Sequence, residues 1–175
     1  MSDKDYNFRQ ADNADEPQIW NILQQAIERR RLDGSQQWQD GYPNPKTVSN
    51  DIVNGWGYVI EIINRVAAYA AIICEPEPAY ESIEGRWLST GEYVVMHRVA
   101  VVDEFIGRGL ATEIFREAEN IAMKSGLSSI KVDTNFDNVA MLSILQKLGY
   151  RYCGEVYFRG SARKAFEKLL KISSA

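Results

Sequence analysis

Polar Asn13 and Glu16 stand ahead of Ile19, Leu23, Ala26 and Ile27 at helical spacing. This Asn-x-x-Glu capping pattern predicts a helix that runs to about Leu32 and stops at Asp33-Gly34. A short strand is predicted before it over Asn7–Gln10. Ser35–Lys46, with two prolines, Gly41, Trp38 and Tyr42, reads as an aromatic loop, and Thr47–Asn54 as a short second helix. Gly57–Ile63 and Val66–Cys74 are rich in Val, Ile, Tyr and Ala, and Asn64-Arg65 between them fits a hairpin connection. Glu75–Thr90, carrying Pro76, Pro78, Gly85 and four glutamates, reads as a surface loop.

In the second half the pattern alternates. Glu92–Val102 is a β run, and Arg108–Lys124 places Leu110, Ile114, Ala118, Ile121 and Ala122 on one helical face, which we assign to the core, before Ser125-Gly126. Ser129–Thr134 is a strand, and Val139, Leu142, Leu145 and Leu148 mark a helix ended by Gly149. Strand, helix, strand, helix in this order favours a parallel pair joined by a right-handed crossover. Tyr150–Phe158 is predicted as a strand, while the composition of Ser161–Lys171 leans towards helix, though its alternate Ala162, Phe166 and Leu170 would also suit a strand.

The 175 residues are 45% hydrophobic and 25% charged, enough for one compact domain over 1–175 and too few for two ordinary ones. A net charge of -4 gives no broad positive field for a phosphodiester backbone, so nucleic acid is not the expected partner and a cationic ligand suits better. Cys74 and Cys153 have no CxxC spacing and the chain has one histidine, so neither a metal site nor a disulfide is expected. Met1–Gln10 has no apolar signal-like run and no stretch approaches membrane-spanning length, which makes a cytoplasmic location, with no membrane partner, the expectation.

Chemistry concentrates in Val99-Ala-Val-Val-Asp-Glu-Phe-Ile-Gly-Arg-Gly-Leu-Ala111, where an apolar strand runs into a glycine turn that opens a helix. Such a turn directs backbone N–H groups at one spot, and the helix dipole adds partial positive charge, so it forms an anion cradle. Gly107 and Gly109 permit dihedrals closed to other residues and close approach by a diphosphate. The turn lacks the Lys-Ser/Thr pair of a Walker loop, and Thr112 stands where a dinucleotide fingerprint needs its third glycine.

A second stretch, Asp133-Thr-Asn-Phe-Asp-Asn-Val-Ala-Met-Leu-Ser-Ile-Leu-Gln-Lys-Leu-Gly-Tyr150, lies downstream. Together the two resemble the GNAT superfamily of N-acetyltransferases. That family's Arg/Gln-x-x-Gly-x-Gly/Ala turn is matched by Ile106-Gly-Arg-Gly109-Leu-Ala111 except at its first residue, and its Asn with a later Gly-aromatic pair by Asn138, Gly149 and Tyr150. The Gln37–Pro43 loop, Cys153-Gly154 and Arg163–Lys168 look like one bacterial branch.

The resemblance implies an α/β (α+β) GNAT-like fold: a mixed central sheet of about six to seven strands with about four helices, and a parallel pair at the cofactor cleft. It also favours strand for the tail. It implies an N-acetyltransferase, with acetyl-CoA as cosubstrate and no metal, acting on a primary amine of a small molecule or a protein, and it is compatible with a homodimer. Main-chain groups of Val99 and Val101 would hold the pantetheine arm, with the Asn138 side chain beside it. The amides of Gly107, Arg108, Gly109, Leu110, Ala111 and Thr112, with the Arg108 charge, would hold the diphosphate.

Direct attack through a tetrahedral intermediate needs a neutral amine, and at pH 7 about one lysine-like amine in a thousand or fewer is neutral. His97 shares strand parity with Val95, Val99 and Val101 and is the candidate base; a packed structural histidine is the competing reading. Glu75, Glu77, Glu81 and Glu84 could attract a cationic acceptor or relay its proton. The Val99 amide is the candidate oxyanion donor. Leu145 falls where many members carry the tyrosine that protonates the leaving thiolate, so Tyr150, Tyr157, water or no acid at all remain open. Trp38, Tyr42 and Trp56 could line an acceptor pocket or belong to the core. A non-catalytic CoA-binding sensor with the same fold is the alternative function.

Overall fold

The structure is a computed structural model that describes residues 5–171. Among these residues it contains eight strands and four α-helices: β1 (Asn7–Gln10), α1 (Glu16–Leu32), α2 (Pro45–Val53), β2 (Gly57–Ile62), β3 (Arg65–Ile73), β4 (Glu84–Gly85), β5 (Val94–Val101), α3 (Leu110–Lys124), β6 (Ser129–Thr134), α4 (Val139–Lys147), β7 (Arg151–Phe158) and β8 (Ser161–Leu169). The strand count exceeds the expected six to seven because β4, a two-residue strand, lies inside the stretch that the sequence predicts as loop. The ambiguous tail is a strand, β8.

The described residues group into two compact units. One holds the chain through Ile72 together with Arg98–Ile114, and the other holds Ile73–His97 together with the chain from Phe115.

In the first unit, β1, β2 and β3 pair antiparallel in sequence order. The β2–β3 turn is Ile63-Asn64, both at positive φ, one residue earlier than the Asn64-Arg65 connection expected. Two left-handed residues in a two-residue loop match the twist of a hairpin, and Asn accepts that conformation at little cost. The cap before α1 also differs from the sequence expectation. Asp12 and Asp15 form the capping box of a short 3-10 turn at Asn13–Asp15, and Arg9 grips the Asp15 carboxylate with both terminal nitrogens, at 2.7 and 2.8 Å. Hydrogen bonding to Arg9 holds the Asp15 carboxyl below its ordinary range. The second helix begins two residues early, at Pro45, because Asn44 caps it and proline suits the first helical turn. Ile19, Ile22, Leu23 and Ala26 of α1 bury against Val48, Val59, Val66, Tyr69, Ala100 and Val102, with Trp38 and Phe105 packed at the margin.

In the second unit the strand order is β5-β6-β8-β7-β4. The expected parallel pair is β5 with β6, in register from Val94↔Ile130 to Met96↔Val132; β8 and β7 continue antiparallel. The β7–β8 turn, Arg159-Gly160, is again a pair of left-handed residues. One sheet face carries Val95, Val156 and Ala165, and Tyr80, Trp87, Tyr93 and Phe158 pack over it.

The segment before β5 is held down by Glu167, a fully buried β8 carboxylate that accepts hydrogen bonds from the Leu88 and Ser89 amides and from the Ser89 and Ser129 hydroxyls. Next to it in the sheet register stands Lys131, whose ammonium lies 4.5 Å from the Trp87 ring centre and 3.9 Å from that of Tyr93. Burial lowers the Lys131 pKa, and the aromatic faces partly offset the lost hydration.

β4 pairs with β7 through two glycines: a Cβ on Gly85 would lie 2.2 Å from the Cys153 carbonyl oxygen, and one on Gly154 would lie 2.2 Å from that of Glu84. Backbone blocks both positions, so no side-chain rotation relieves the clash. Gly85→Ala is therefore expected to cost at least about 2 kcal/mol and to lower Tm by about 4–8 °C, read by thermal denaturation. An unchanged Tm would show that the β4–β7 contact opens freely.

Candidate active site

The glycine turn lies in the first unit. The Arg29 guanidinium donates to the Val101 carbonyl at 3.0 Å and pairs with Asp103, and the Gln25 side chain accepts from the Asp103 amide at 2.8 Å. The 3-10 turn Asp103–Phe105 is thereby fixed to α1, and the glycine turn follows it directly. Gly107 and Gly109 have φ of +81° and +80°, which L side chains rarely adopt. A Cβ on either would meet no protein atom within 4 Å, so their dihedrals rather than crowding call for glycine.

The amides of Ile106 and Arg108 bond to the Asp103 and Phe105 carbonyls, and the Glu113 amide bonds to that of Gly109. The Leu110, Ala111 and Thr112 amides precede the first i→i−4 bond of α3 and stand at the positive end of its dipole. Ile106, at the position where the family favours Arg or Gln, is exposed, as are Gly107, Arg108 and Gly109. The Arg108 guanidinium lies over the Phe105 ring, 4.9 Å from its centre. Exposed left-handed glycines, helix-start amides and an Arg resting on an aromatic ring fit a diphosphate.

Upstream of the turn, β5 breaks its own alternation. Arg98 has φ +55°, a left-handed conformation that costs a non-glycine residue about 1–3 kcal/mol. The strand parity that the sequence assigns to Val95, His97, Val99 and Val101 therefore does not carry across Arg98. Val99 and Val101 are half-buried.

His97 lies in the second unit, one residue beyond the last β5–β6 register pair, Met96↔Val132. Its Nε2 is 3.1 Å from the Glu77 carboxylate and its Nδ1 is 3.9 Å from that of Asp133. The His97 side chain is 14% exposed and that of Glu77 21%. Asp133 accepts a hydrogen bond from the Tyr80 hydroxyl at 2.7 Å, and Arg163 Nη1 stands 3.9 Å from its other oxygen. Burial first, and the Asp133 charge second, push the Tyr80 phenol well above its ordinary pKa, so it stays protonated and donates. The Phe158 ring meets the imidazole edge-on at 6.0 Å.

Of the four loop glutamates, Glu77 is thus the one paired with the histidine; its amide donates to the Tyr93 hydroxyl, and its side chain also caps the Ala79 amide. Asp133, Tyr80 and Arg163 are not singled out by the sequence reading. The signal available for Asp133 and Arg163 is a charged residue inside an otherwise apolar or alternating strand.

The other candidates are placed as follows. Tyr150 is 6% exposed, packs edge-on against Phe115 at 5.5 Å, and its hydroxyl has no hydrogen-bond partner among the described residues. Burial, then the Glu119 charge, raises its pKa well above normal. Tyr157 donates to Glu84 at 2.8 Å, a bond that with neighbouring charge pushes its pKa up to about 12. Leu145 is fully buried. Asn138 caps α4, its side-chain oxygen accepting from the Met141 amide at 3.2 Å. Trp38 packs on the first unit's core, and the Tyr42 hydroxyl bonds Arg98. Cys74 and Cys153 are free thiols. Among the described residues no cluster of metal-ligating side chains and no helix long and apolar enough to cross a membrane is present.

The family model described as Acetyltransferase (GNAT) family matches residues 17–150, both sequence stretches included. The chain belongs to the GNAT acetyltransferase family. This GNAT protein is 36% identical to a GNAT-family acetyltransferase of Streptococcus agalactiae whose crystal structure superposes with a TM-score of 0.87, covering 95% of this chain and 96% of that one. It is 25% identical over 144 residues to the uncharacterized N-acetyltransferase YesJ of Bacillus subtilis, covering 80% of this chain and 78% of the relative. An acetyltransferase of Salmonella typhimurium, yncA, solved with its cofactor acetyl-CoA, shares the fold at 17% identity, with a TM-score of 0.67 over 97% of this chain and 96% of that one. The expected mixed α/β GNAT fold and acyltransferase class are both met.

Proposed function

We propose that this GNAT acyltransferase moves the acetyl group of acetyl-CoA to a primary amine by direct attack, with His97 as proton acceptor. The His97–Glu77 contact carries the reading. An ionised Glu77 accepts from Nε2–H, which fixes the ring orientation and leaves the Nδ1 lone pair as the basic nitrogen. The Asp133 carboxylate, 3.9 Å from Nδ1, stabilises the imidazolium once the ring takes the amine's proton. Both carboxylates also favour an acceptor that arrives as an ammonium.

Acetyl-CoA supplies the activated acyl carbon. The amides of Gly107 and of Gly109 to Thr112, with the Arg108 guanidinium, hold its diphosphate, and the main chain of Val99 and Val101 together with the Asn138 side-chain amide holds the pantetheine arm; the Arg108 amide itself is engaged by the Phe105 carbonyl. The Val99 N–H stabilises the developing oxyanion. For the leaving thiolate, the buried Tyr150 hydroxyl has no hydrogen-bond partner among the described residues whereas that of Tyr157 is engaged by Glu84, which favours Tyr150 as proton donor.

Release of CoA thiol, followed with a panel of small amines and amine-bearing peptides, tests the proposal. Turnover with at least one amine is the expected result. Thermal stabilisation by acetyl-CoA with no turnover on any amine would instead favour a CoA-binding sensor.

A further inference from the structure

The left-handed break at Arg98 sits directly before Val99. The direction of the Val99 N–H is set by the peptide plane joining these two residues, and that plane turns with the Arg98 dihedrals. A bulky residue stays at φ +55° only where its surroundings hold it there.

The side chain shows what holds it. Arg98 Nε and Nη2 donate to the two oxygens of Asp51 at 2.8 and 2.6 Å, a planar fork that no other cationic side chain can reproduce. Its Nη1 donates to the Tyr42 hydroxyl, and the Tyr69 hydroxyl donates to Asp51. The Arg98 side chain is 8% exposed and that of Asp51 1%. Three elements therefore grip one guanidinium: α2 through Asp51, β3 through Tyr69, and the loop before α2 through Tyr42. A buried ion pair of this kind is weak evidence for stability, since apolar residues of similar volume often serve a fold as well. Its location on a strained residue of the reacting strand points to another use.

We infer that Asp51, together with Tyr42, is a positioning residue for acetyl transfer: acting through Arg98, it holds the β5 break that aims the Val99 amide. This rests on the proposed role of Val99 as oxyanion donor. Once the grip is lost, Arg98 relaxes towards an extended conformation and the Val99 amide turns away. The oxyanion contact forms only in the transition state, so kcat falls while acetyl-CoA binding, carried mostly by the glycine turn, changes little.

Three variants test this, each measured for Tm, calorimetric acetyl-CoA affinity and kcat on an amine that the wild type uses. Asp51→Asn keeps the shape and removes the charge, and its kcat is expected to fall about tenfold or more. The double variant Asp51→Leu with Arg98→Met replaces the pair by apolar volume, and its kcat should fall similarly with Tm within a few degrees of wild type. Tyr42→Phe removes one hydroxyl and keeps the fold should either of the others fail to fold; a fall of about two- to fivefold is expected, again with affinity preserved.

Wild-type kcat in the double variant, or in Tyr42→Phe if the double variant does not fold, would overturn the inference, as would losses in kcat and affinity of equal size. Absence of acetyl-CoA binding or turnover in the wild type is a different outcome, and it would remove the proposed function itself.

Discussion

Gly109→Val is expected to weaken acetyl-CoA binding by about 5- to 150-fold, the equivalent of the roughly 1–3 kcal/mol needed to hold a branched residue at positive φ. Gly109 sits at φ +80°, and its amide, with those of Leu110 to Thr112, forms the start of α3. A valine there has two courses. It can keep the left-handed dihedral and bear the strain, or it can relax to negative φ and swing the neighbouring amides out of line. A clash does not decide between them, because a Cβ at the present φ meets nothing within 4 Å.

The loss should therefore appear in binding, with Tm falling only a few degrees. Gly126→Val is the control. Gly126 closes the other end of α3 at φ +73°, also with nothing within 4 Å of a Cβ, so it carries comparable backbone strain away from the turn. Its acetyl-CoA affinity should match the wild type. Isothermal calorimetry on both variants decides the matter, and wild-type affinity in Gly109→Val would show that the diphosphate is held elsewhere.

His97→Gln should lower kcat by about 10²–10³-fold while leaving acetyl-CoA affinity unchanged, the range by which a positioned general base accelerates a reaction. Glutamine approximates the ring's reach and can still bond Glu77, but it cannot take a proton. Glu77→Gln keeps a hydrogen bond to the ring and loses the charge that holds the protonated tautomer in place, so a smaller loss of about tenfold is expected. Steady-state kinetics, with acetyl-CoA binding measured in parallel, separates the effects. Unchanged kcat in His97→Gln would return the histidine to a packing role and leave the base to a carboxylate or to water.

Legibility in the sequence follows the range of the interactions involved. The Val-rich run of β5, the alternation of β6, the stripe from Leu110 to Ala122 and the Gly-x-Gly turn are local signals, and the elements they predict are present. The helix-start cradle is legible for the same reason, since a strand, two glycines and a helix in succession dictate where backbone amides point. Capping differed from the pattern read along the chain: Asp12 and Asp15, rather than Asn13 and Glu16, form a capping box, and it closes a 3-10 turn ahead of α1, with Asp15 held by the Arg9 fork from β1. Strand β4 was illegible because two residues carry no period and form a strand only through Gly154 opposite Gly85.

The site's charged groups show the limit most clearly. By itself the sequence determined the family and the fold class, through the resemblance of its two motif stretches, and the turn suited to a diphosphate, because that turn needs dihedrals that only glycine adopts readily. It offered His97 and four glutamates as candidates without a pairing. Tertiary structure alone decided that Glu77 meets His97, that Asp133 is shared by Tyr80 and Arg163, that the Tyr150 hydroxyl finds no hydrogen-bond partner among the described residues, and that Arg98 turns left-handed in the grip of Asp51, 47 positions away. Side-chain pairing across distant segments depends on register and packing of the whole chain, and strand parity counted along one segment fails wherever a partner pulls a residue out of the extended conformation.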